Sequence, residues 1–395
     1  MSEKKHIFIL GSRGYTNGYG GWETFVKGLI DNWKSENFIF YIYERAENEN
    51  DTGIKKLKEN VFLYRVFVQE KGGFTMMKYD HKCTKITFNY VKEHNIENPI
   101  IYYLGLRIGP YIYMKRRAFK KLGAIIIENA AGLEWKRTKW NFLVQIYLWL
   151  SAYFMAKASD YLICDSEGIL SEYEKMIKGK RPVKLFIPYG TYVNDDLLVE
   201  RNDKIDTFFV KNNIKEKSYY LIINRFVPEN NYELILSEFM SSNTTCDLVL
   251  VTNFNKEFKF YQELENKLKF SNDKRIKFVG TIYESNVLEY LRRNSRGYIN
   301  GHTLGGTNPG LLEAMSTAEV CLVYDVIFAR QVGLDCVIYY DKGDQSLVNA
   351  IKYCDSLSNK EREHYSDKSK KRMKETYVWS KIVKQYNDFF EGLVK

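Results

Sequence analysis

Two glycine-rich segments contain the residue types with which proteins bind phosphate groups and sugars. The first, Gly11-Ser-Arg-Gly-Tyr-Thr-Asn-Gly-Tyr-Gly-Gly-Trp-Glu, follows a strand-like run and precedes a helical pattern. Gly20 and Gly21 have no Cβ atom, so backbone N–H groups there can approach a phosphate or a sugar near the positive end of the following helix. A plain glycine-rich turn is the structural alternative. The segment lacks the Gly-x-Gly-x-x-Gly spacing of a dehydrogenase, although Glu44, after the second strand-like run, would suit a ribose.

The second segment, Gly301-His-Thr-Leu-Gly-Gly-Thr-Asn-Pro-Gly-Leu-Leu-Glu-Ala-Met, also follows a strand-like run. Thr307 or Asn308 is a natural N-cap and Pro309 a natural first helical residue, so a helix is predicted to begin here. Its free N–H groups would be presented to an anion such as a pyrophosphate. Glu313, one turn further, is placed to accept hydrogen bonds from a ribose or sugar hydroxyl; a glutamate favoured by the helix dipole is the alternative.

Two further side chains accompany these segments. Arg225, in Asn224-Arg-Phe-Val-Pro-Glu-Asn-Asn, follows another strand-like run, where its guanidinium can clamp a phosphate; a surface salt bridge is the alternative. His302 can donate to a sugar hydroxyl or a phosphate, or is satisfied within its own loop. No Ser-His-Asp or Cys-His arrangement is evident, and Asp195-Asp196 lies in a predicted linker that is a poor place for a metal ligand. We therefore expect neither a catalytic nucleophile nor a cofactor or metal site.

Strand-like apolar runs alternate with helical patterns along the chain. Unbroken apolar runs indicate strands buried on both faces, and the helices between them indicate parallel βαβ units. The pattern restarts after Pro188-Tyr-Gly-Thr, so we predict two doubly wound α/β domains: residues 1–195, residues 196–376, and a C-terminal helix, residues 377–395, that returns to the first domain. The predicted strands begin at Ile7, Ile39, Ile100, Ile125, Tyr161 and Leu185, and then at Tyr220, Leu248, Ile276, Gly297, Val320 and Val337.

Composition and charge narrow the functional classes. With 395 residues, 45% hydrophobic and 27% charged, the chain is globular, and its six cysteines form no Cys-x-x-Cys pair or disulfide framework. Residues 141–158 are the most membrane-like segment but fall short of the ~20 apolar residues that span a bilayer. Residues 1–195 contain 30 lysines and arginines against 21 aspartates and glutamates, so the basic excess belongs to this half. An anionic partner such as lipid headgroups or phosphates is indicated; no basic-aromatic motif supports nucleic acid.

Taken together, these segments resemble a known enzyme family. The motifs Gly20-Gly-Trp-Glu, Arg225-Phe-Val-Pro-Glu-Asn-Asn and Gly305-Gly-Thr-Asn-Pro-Gly-Leu-Leu-Glu-Ala-Met are similar to those of retaining, nucleotide-sugar-dependent glycosyltransferases of the GT-B fold. With Gly132-Leu-Glu-Trp-Lys-Arg-Thr-Lys-Trp, they resemble more closely the bacterial rhamnosyltransferases of capsular polysaccharide, exopolysaccharide and cell-wall synthesis. The resemblance implies two Rossmann-like domains facing an interdomain cleft, with the C-terminal helix packed back on the N-terminal domain.

The resemblance also implies a role for each candidate residue. Arg225 and the N–H groups around residues 306–308 would bind the donor diphosphate, and Glu313 would bind the nucleotide ribose. The full donor-binding set would be Gly20, Gly21, Arg225, Asn230, Gly305, Gly306, Thr307, Asn308 and Glu313. The acceptor-binding set would be Glu23, Glu134, Trp135 and Arg137, with His302 and Glu23 as candidate catalytic residues.

The chain departs from the family at two positions. The family has a glutamate eight residues before Glu313, where this chain has Gly305, and a lysine five residues after the arginine, where it has Asn230. Diphosphate binding would therefore depend more on Arg225 and on backbone dipoles.

The resemblance implies transfer of a sugar, with L-rhamnose from dTDP-L-rhamnose as the leading donor, to a lipid-pyrophosphate-linked saccharide. The anomeric configuration would be retained without a metal, and catalysis would rest on stabilising the leaving diphosphate and positioning the acceptor. A UDP-sugar donor of another hexose (glucose, galactose or N-acetylglucosamine) and a nucleotide-sugar epimerase on the same fold are the alternatives.

Several basic and aromatic segments suggest where the protein works. Residues 111–122 and 136–142, and the apolar tip at residues 71–77, suit an anionic lipid surface; core helices with solvated basic faces are the alternative. The N-terminal residues lack a secretory signal pattern. We expect a cytoplasmic protein peripherally associated with the inner face of the plasma membrane, and a homodimer is compatible with the sequence.

Overall fold

The computed structural model describes residues 4–16, 20–69, 72, 74–130, 132–137, 139–193 and 199–393. The chain forms two compact units: unit 1 comprises Met1–Tyr189 with Trp379–Lys395, and unit 2 comprises Gly190–Val378. The motifs and short segments named in the sequence analysis include eight residues that lie outside the described part of the chain: Asn17, Gly18, Tyr19, Lys71, Gly73, Thr138, Asp195 and Asp196.

Unit 1 contains one eight-stranded sheet. Its strands are β1 (Lys5–Leu10), β2 (Phe38–Arg45), β3 (Gly53–Lys58), β4 (Val61–Val66), β5 (Ile100–Leu104), β6 (Ile125–Asn129), β7 (Tyr161–Cys164) and β8 (Val183–Phe186). They lie in the order β3-β4-β2-β1-β5-β6-β7-β8 and are parallel, except that β3 pairs antiparallel with β4. All five residues of β5 are buried, as expected for a strand covered on both faces. The helices between the strands are α1 (Gly21–Asp31), α2 (Thr75–Glu93), α3 (Gly109–Lys121), α4 (Phe142–Ala158) and α5 (Glu167–Met176).

Unit 2 contains a six-stranded parallel sheet. Its strands are β9 (Tyr219–Ile223), β10 (Asp247–Val251), β11 (Ile276–Gly280), β12 (Gly297–Asn300), β13 (Cys321–Tyr324) and β14 (Ile338–Tyr340), in the order β11-β10-β9-β12-β13-β14. Its helices are α6 (Asp203–Lys211), α7 (Tyr232–Ser241), α8 (Lys259–Leu268), α9 (Ser285–Arg293), α10 (Pro309–Thr317), α11 (Ile327–Gly333), α12 (Ser346–Ser356) and α13 (Asn359–Arg372).

The structure confirms the predicted parallel sheets and adds two strands that the sequence analysis missed. β3 and β4 extend the sheet of unit 1 beyond β2. The residues of β3, Gly-Ile-Lys-Lys-Leu-Lys, are mostly exposed, so no buried run marks the strand. Lysines on an exposed edge strand discourage pairing with another chain. In the described part of the chain no helix is both long and apolar enough to cross a membrane.

The last helix, α14 (Trp379–Gly392), belongs to unit 1 and packs against α1. A Cβ atom at Gly28 of α1 would collide with the ring of Trp379, so the indole lies directly on the helix backbone. The hydroxyl groups of Tyr386 and Tyr102 lie 3.0 Å apart, and Nδ2 of Asn129 donates to Tyr102 at 2.8 Å. The helix therefore completes the core of unit 1 through both apolar packing and buried hydrogen bonds.

The contact between Gly28 and Trp379 can be tested by adding one methyl group. We expect Gly28→Ala to lower the free energy of unfolding by about 1–3 kcal/mol, because overpacking forces the indole out of its site. Urea unfolding followed by circular dichroism measures the change. Gly21→Ala is the matched control in the same helix, because no atom lies within 4 Å of the added methyl group. Equal stability of the two variants would contradict the contact.

Candidate functional site

Each glycine-rich segment follows a strand that lies at, or next to, the point where its sheet reverses strand order. In unit 1, β1 lies between β2 and β5; in unit 2, β9 lies between β10 and β12. Open α/β sheets bind ligands outside the carboxyl ends of the strands at this reversal point. Residues 11–20 follow β1, Arg225 follows β9, and residues 301–308 follow β12. Each unit thus has a candidate site where its fold favours one.

The loop after β1 lies tightly against the end of β5. Gly11 has a φ angle of 99°, and a Cβ atom there would collide with the carbonyl oxygen of Leu104. The carbonyl oxygen of Gly11 accepts a hydrogen bond from Nη2 of Arg107 at 3.2 Å, and that of Ser12 accepts one from the Tyr79 hydroxyl at 3.1 Å. The positive φ and the close approach both require glycine at position 11.

Glu44 holds the middle of the same loop. Its Oε2 accepts hydrogen bonds from the N–H groups of Tyr15 (2.8 Å) and Thr16 (2.9 Å) and from the Thr16 hydroxyl (2.8 Å), and Oε1 accepts one from Nε of Arg65 (3.1 Å). Burial opposes its ionisation, but these donors outweigh burial and hold the pKa of Glu44 below its ordinary value. Glu44 lies within β2 and is engaged by the loop, which removes the alternative in which it binds a ribose.

Glu23 holds the end of the loop, and Gly20 and Gly21 differ in their surroundings. Glu23 is buried in the first turn of α1, and its Oε1 accepts a hydrogen bond from the N–H group of Arg13 at 2.9 Å. A Cβ atom at Gly20 would collide with Oε2 of Glu23, whereas one at Gly21 would meet no atom within 4 Å. A side chain at position 20 would therefore have to displace the Glu23 carboxylate. Gly21, at the exposed start of α1, is the position open to a ligand.

Arg107 is a central residue that the sequence analysis missed. It follows β5, and its Nε lies 2.7 Å from Oδ2 of Asp80. Its guanidinium also lies over the ring of Trp22, 5.2 Å from the centroid. Burial alone would lower the pKa of Arg107, but Asp80, followed by Glu134 and Glu23, raises it. Two predicted acceptor-binding carboxylates, Glu134 and Glu23, therefore interact electrostatically with one partly buried guanidinium. The sequence could have indicated Arg107, because it lies just after a central strand, as Arg225 does.

The structure separates the members of the 134–137 segment. Glu134 pairs with Nε of Arg137 at 2.8 Å and lies 3.8 Å from Nζ of Lys139. Trp135 is buried, with its ring edge-on to Tyr173 at a centroid distance of 5.8 Å. Glu134 and Arg137 are thus partly exposed and paired with each other, while Trp135 anchors the segment to the core of unit 1.

In unit 2, Asn230 connects two candidate residues. Arg225 is exposed, and its guanidinium forms no hydrogen bond or ion pair within the described part of the chain. Nδ2 of the buried Asn230 donates to the Arg225 carbonyl oxygen at 2.7 Å, and Oδ1 lies 2.9 Å from Nδ1 of His302. Because Oδ1 can only accept, Nδ1 of His302 carries a proton. Asn230 therefore orients its neighbours.

The loop after β12 lies directly on the loop after β9. A Cβ atom at Gly301 would collide with the carbonyl oxygen of Asn230. The N–H group and the hydroxyl of Thr303 both donate to the Glu229 carbonyl oxygen at 2.9 Å. A Cβ atom at Gly305 would lie 2.9 Å from Nε2 of His302, so a glutamate there, as in the wider family, would displace the imidazole or be displaced by it.

The predicted helix start is confirmed, with Asn308 as the N-cap. Its side chain accepts a hydrogen bond from the N–H group of Leu311 at 3.1 Å, and Pro309 is the first helical residue. Thr307 is buried. Gly306, Asn308 and His302 line a small cavity together with apolar residues of α11. The first N–H groups of α10 thus lie at the wall of a pocket that His302 also borders.

Glu313 has a partner that the sequence did not reveal. It forms an ion pair with Nη2 of Arg292, from α9. The Arg292 side chain is only 7% exposed, whereas that of Glu313 is 42% exposed. Glu313 therefore balances a buried cation while its carboxylate remains accessible. Twenty-one residues separate the pair, so no local pattern indicates it.

Comparisons with known proteins identify the fold. Residues 4–192 match a domain of unknown function, DUF1972, and no curated protein sequence matches the chain. The chain is similar to the sucrose-phosphate synthase of Thermosynechococcus elongatus (14% identity, TM-score 0.76, 99% of each chain covered). It is also similar to a UDP-forming α,α-trehalose-phosphate synthase of Burkholderia xenovorans in complex with glucose-6-phosphate (13%, 0.72, 99% of this chain and 100% of that chain). Anabaena HepE in complex with UDP is a third similar structure (12%, 0.69, 98% of this chain and 100% of that chain). These similarities define the two-domain, Rossmann-like GT-B fold and confirm the predicted fold class.

The role of Glu44 in the loop can be tested through the pH dependence of stability. Because its pKa is lower in the folded protein, Glu44 stabilises the fold above its ordinary pKa of 4.5, and this contribution is lost as the pH falls through the lowered value. We expect the free energy of unfolding of Glu44→Gln to fall less steeply below about pH 4.5 than that of the wild type. The exposed Glu47→Gln is the control and should follow the wild type. Parallel curves for all three proteins would show that Glu44 does not hold the loop.

Proposed function

We propose that the protein is a glycosyltransferase that transfers the sugar of a nucleotide-diphosphate sugar to an acceptor. The observation that carries the proposal is the site of unit 2, where the exposed Arg225 guanidinium and the Asn308-capped start of α10 follow β9 and β12, neighbouring strands at the reversal point of the sheet. A guanidinium and helix N–H groups are the donors that bind a diphosphate. The proteins of similar fold named above support the proposal, since their names and ligands include UDP and sugar phosphates.

The proposed donor site assigns a task to each residue. Arg225 and the N–H groups at residues 306–308 bind the diphosphate, and Glu313 binds the ribose. Asn230 and Gly305 act on His302, one by orienting its ring and the other by leaving space for it. We assign to His302 a hydrogen bond with the diphosphate or with a sugar hydroxyl.

The proposed acceptor site lies in unit 1. Glu134 and Arg137 supply partly exposed charges, and Glu23 lies beside the loop after β1. The pKa of Arg107 is raised by Asp80 and then by Glu134 and Glu23. Neutralising the leaving diphosphate and orienting an acceptor hydroxyl are sufficient for transfer with retention, because the departing phosphate oxygen can take the acceptor proton. No metal is required in this scheme.

For the substrates, we propose L-rhamnose from dTDP-L-rhamnose as donor sugar and a lipid-pyrophosphate-linked saccharide of cell-surface polysaccharide synthesis as acceptor, at the cytoplasmic face of the membrane. A UDP-hexose donor is the second candidate, favoured by the UDP in the name or ligand of two similar structures. A nucleotide-sugar epimerase would instead convert the donor without an acceptor. Assaying nucleotide release from each donor, with and without a lipid-linked saccharide, distinguishes the three.

Arg225→Ala tests the diphosphate site directly. We expect the dissociation constant for a nucleotide sugar to rise about 10- to 100-fold, because a hydrogen bond to a charged group contributes about 1.5–3 kcal/mol. Titration calorimetry with UDP-glucose and dTDP-L-rhamnose measures the change and also identifies the preferred donor. Arg201→Ala, which removes an equal charge elsewhere in unit 2, is the control. Unchanged affinity of Arg225→Ala for whichever donor binds would contradict the assignment.

Glu313 needs a design that separates ribose binding from its pairing with Arg292. Glu313→Gln should lower the free energy of unfolding by about 1–3 kcal/mol, since it leaves a buried guanidinium without its carboxylate. We therefore compare the affinities of UDP and 2′,3′-dideoxy-UDP for the wild type and for Glu313→Gln. If Glu313 binds the ribose, the wild type prefers UDP and the variant loses the preference. A preference that survives the substitution would restrict Glu313 to balancing Arg292.

A further inference from the structure

Helix α4 exposes a row of large apolar side chains on one face. Phe142 and Leu143 are 73% and 76% exposed, and Ile146, Trp149 and Leu150 are 40% or more exposed. At 3.6 residues per turn, these five positions fall within an arc of about 120° on the helix surface. The opposite face buries Leu148, Ser151, Ala152, Met155 and Ala156 in unit 1. The exposed row is therefore a continuous stripe on a helix that is firmly packed from behind.

Helix α3 extends this stripe. Its Tyr113 and Met114 are 47% and 72% exposed, and the Tyr113 ring lies 5.3 Å from that of Phe154 on α4. We refer to Tyr113, Met114, Phe142, Leu143, Ile146, Trp149 and Leu150 as the α4 surface. Elsewhere in the described part of the chain, exposed large apolar side chains are scattered rather than grouped on one helix face. A grouped patch marks an interaction site, whereas scattered apolar residues need no explanation.

All the charged side chains of α3 and α4 are basic, and Asp160, just after α4, pairs with Arg116 and Lys120 of α3. Neither α3 nor α4 contains an aspartate or a glutamate. Lys115, Arg117 and Lys121 of α3 are exposed, and they form no ion pair within the described residues. Lys157 lies 5.6 Å from the ring centroid of Tyr153, at the far end of α4. An apolar stripe bordered by free cations complements a surface that is apolar inside and anionic at its boundary.

We propose that the α4 surface docks on a bilayer containing anionic lipid, with α4 lying in the plane of the interface. At 17 residues, α4 is too short to cross a bilayer, and its apolar face with cations beside it is typical of helices that lie at the boundary between headgroups and acyl chains. Trp149 and Tyr113 are of the aromatic types that favour this boundary. A second copy pairing through the same surface would bring the α3 cations of both copies together, which disfavours a symmetric dimer.

This inference gives the membrane association of the proposed function a specific surface, and it does not depend on the sugar-transfer site. Attraction by the basic residues alone would be abolished by salt. Insertion of the α4 surface adds an apolar contribution that salt does not screen. The two modes of binding therefore make different predictions for the same vesicles.

Flotation with phosphatidylcholine vesicles, with and without phosphatidylglycerol, tests the proposal. The wild type should float with the vesicles that contain phosphatidylglycerol and keep part of this binding at high salt. The double variant Leu143→Glu, Trp149→Glu should bind them about tenfold more weakly or worse, because two charges then enter the apolar boundary. Val210→Glu changes an equally exposed apolar residue on α6 of unit 2 and should bind as the wild type does.

Three results would overturn the proposal. They are wild-type binding that salt abolishes completely, double-variant binding equal to that of the wild type, and a wild-type dimer in analytical ultracentrifugation that the double substitution dissociates without any vesicle binding. Nucleotide-sugar affinity is measured on the same double variant. Retained affinity together with lost flotation places the defect at the α4 surface, whereas absent affinity in every variant and in the wild type counts against the proposed function alone.

Discussion

The hydrogen bonds that Glu44 accepts from Tyr15 and Thr16 fix the loop on which the site of unit 1 depends. A buried carboxylate is costly unless it is hydrogen-bonded, so the loop and Glu44 stabilise each other. Arg107, which follows β5, stabilises the loop in a similar way. It forms an ion pair with Asp80 and donates a hydrogen bond to the carbonyl oxygen of Gly11. The glycine-rich loop is therefore held by a charged residue from each of the two strands beside its own. Its first helical turn remains open at Gly21.

In unit 2, neutral side chains rather than charged ones hold the loops that follow the strands. Asn230 and Asn308 are amides, and they take up the backbone groups and the imidazole that shape the loops after β9 and β12. A carboxylate in either position would oppose an anionic ligand, whereas an amide does not. Arg225 is then the cation closest to these loops whose guanidinium is not engaged within the described residues. Gly305 acts in the same direction, because a glutamate at this position, as in the glycosyltransferases that the motif resembles, would place a negative charge beside His302.

The sequence predicted what local patterns encode. Apolar runs gave the parallel strands, and the Asn308-Pro309 pair gave the start of α10. The exposed edge strand β3 was missed because its lysines hide the strand pattern. The pairs of Arg107 with Asp80 and of Arg292 with Glu313 were missed because they join separate elements, and no single window of sequence contains both partners. For the same reason the sequence did not indicate the task of Glu44, which was considered only for the ribose of the disfavoured dehydrogenase alternative. Its carboxylate oxygens accept hydrogen bonds from a loop some thirty residues earlier.

Helix α4 shows a further limit of sequence patterns. A helix that is apolar all round is typical of a fully buried helix, and the sequence of α4 fits that description. The sheet and α3 cover only one side of it, so the other side faces away from the core of unit 1. Large exposed apolar residues lower solubility, so a grouped apolar face of this kind indicates a surface that contacts a partner. The basic excess of residues 1–195 lies in the same unit as α4, while the rest of the chain is nearly neutral. A bilayer that contains anionic lipid would account for both the basic excess and the exposed apolar stripe of α4. A partner that binds by charge alone would leave the apolar stripe unexplained.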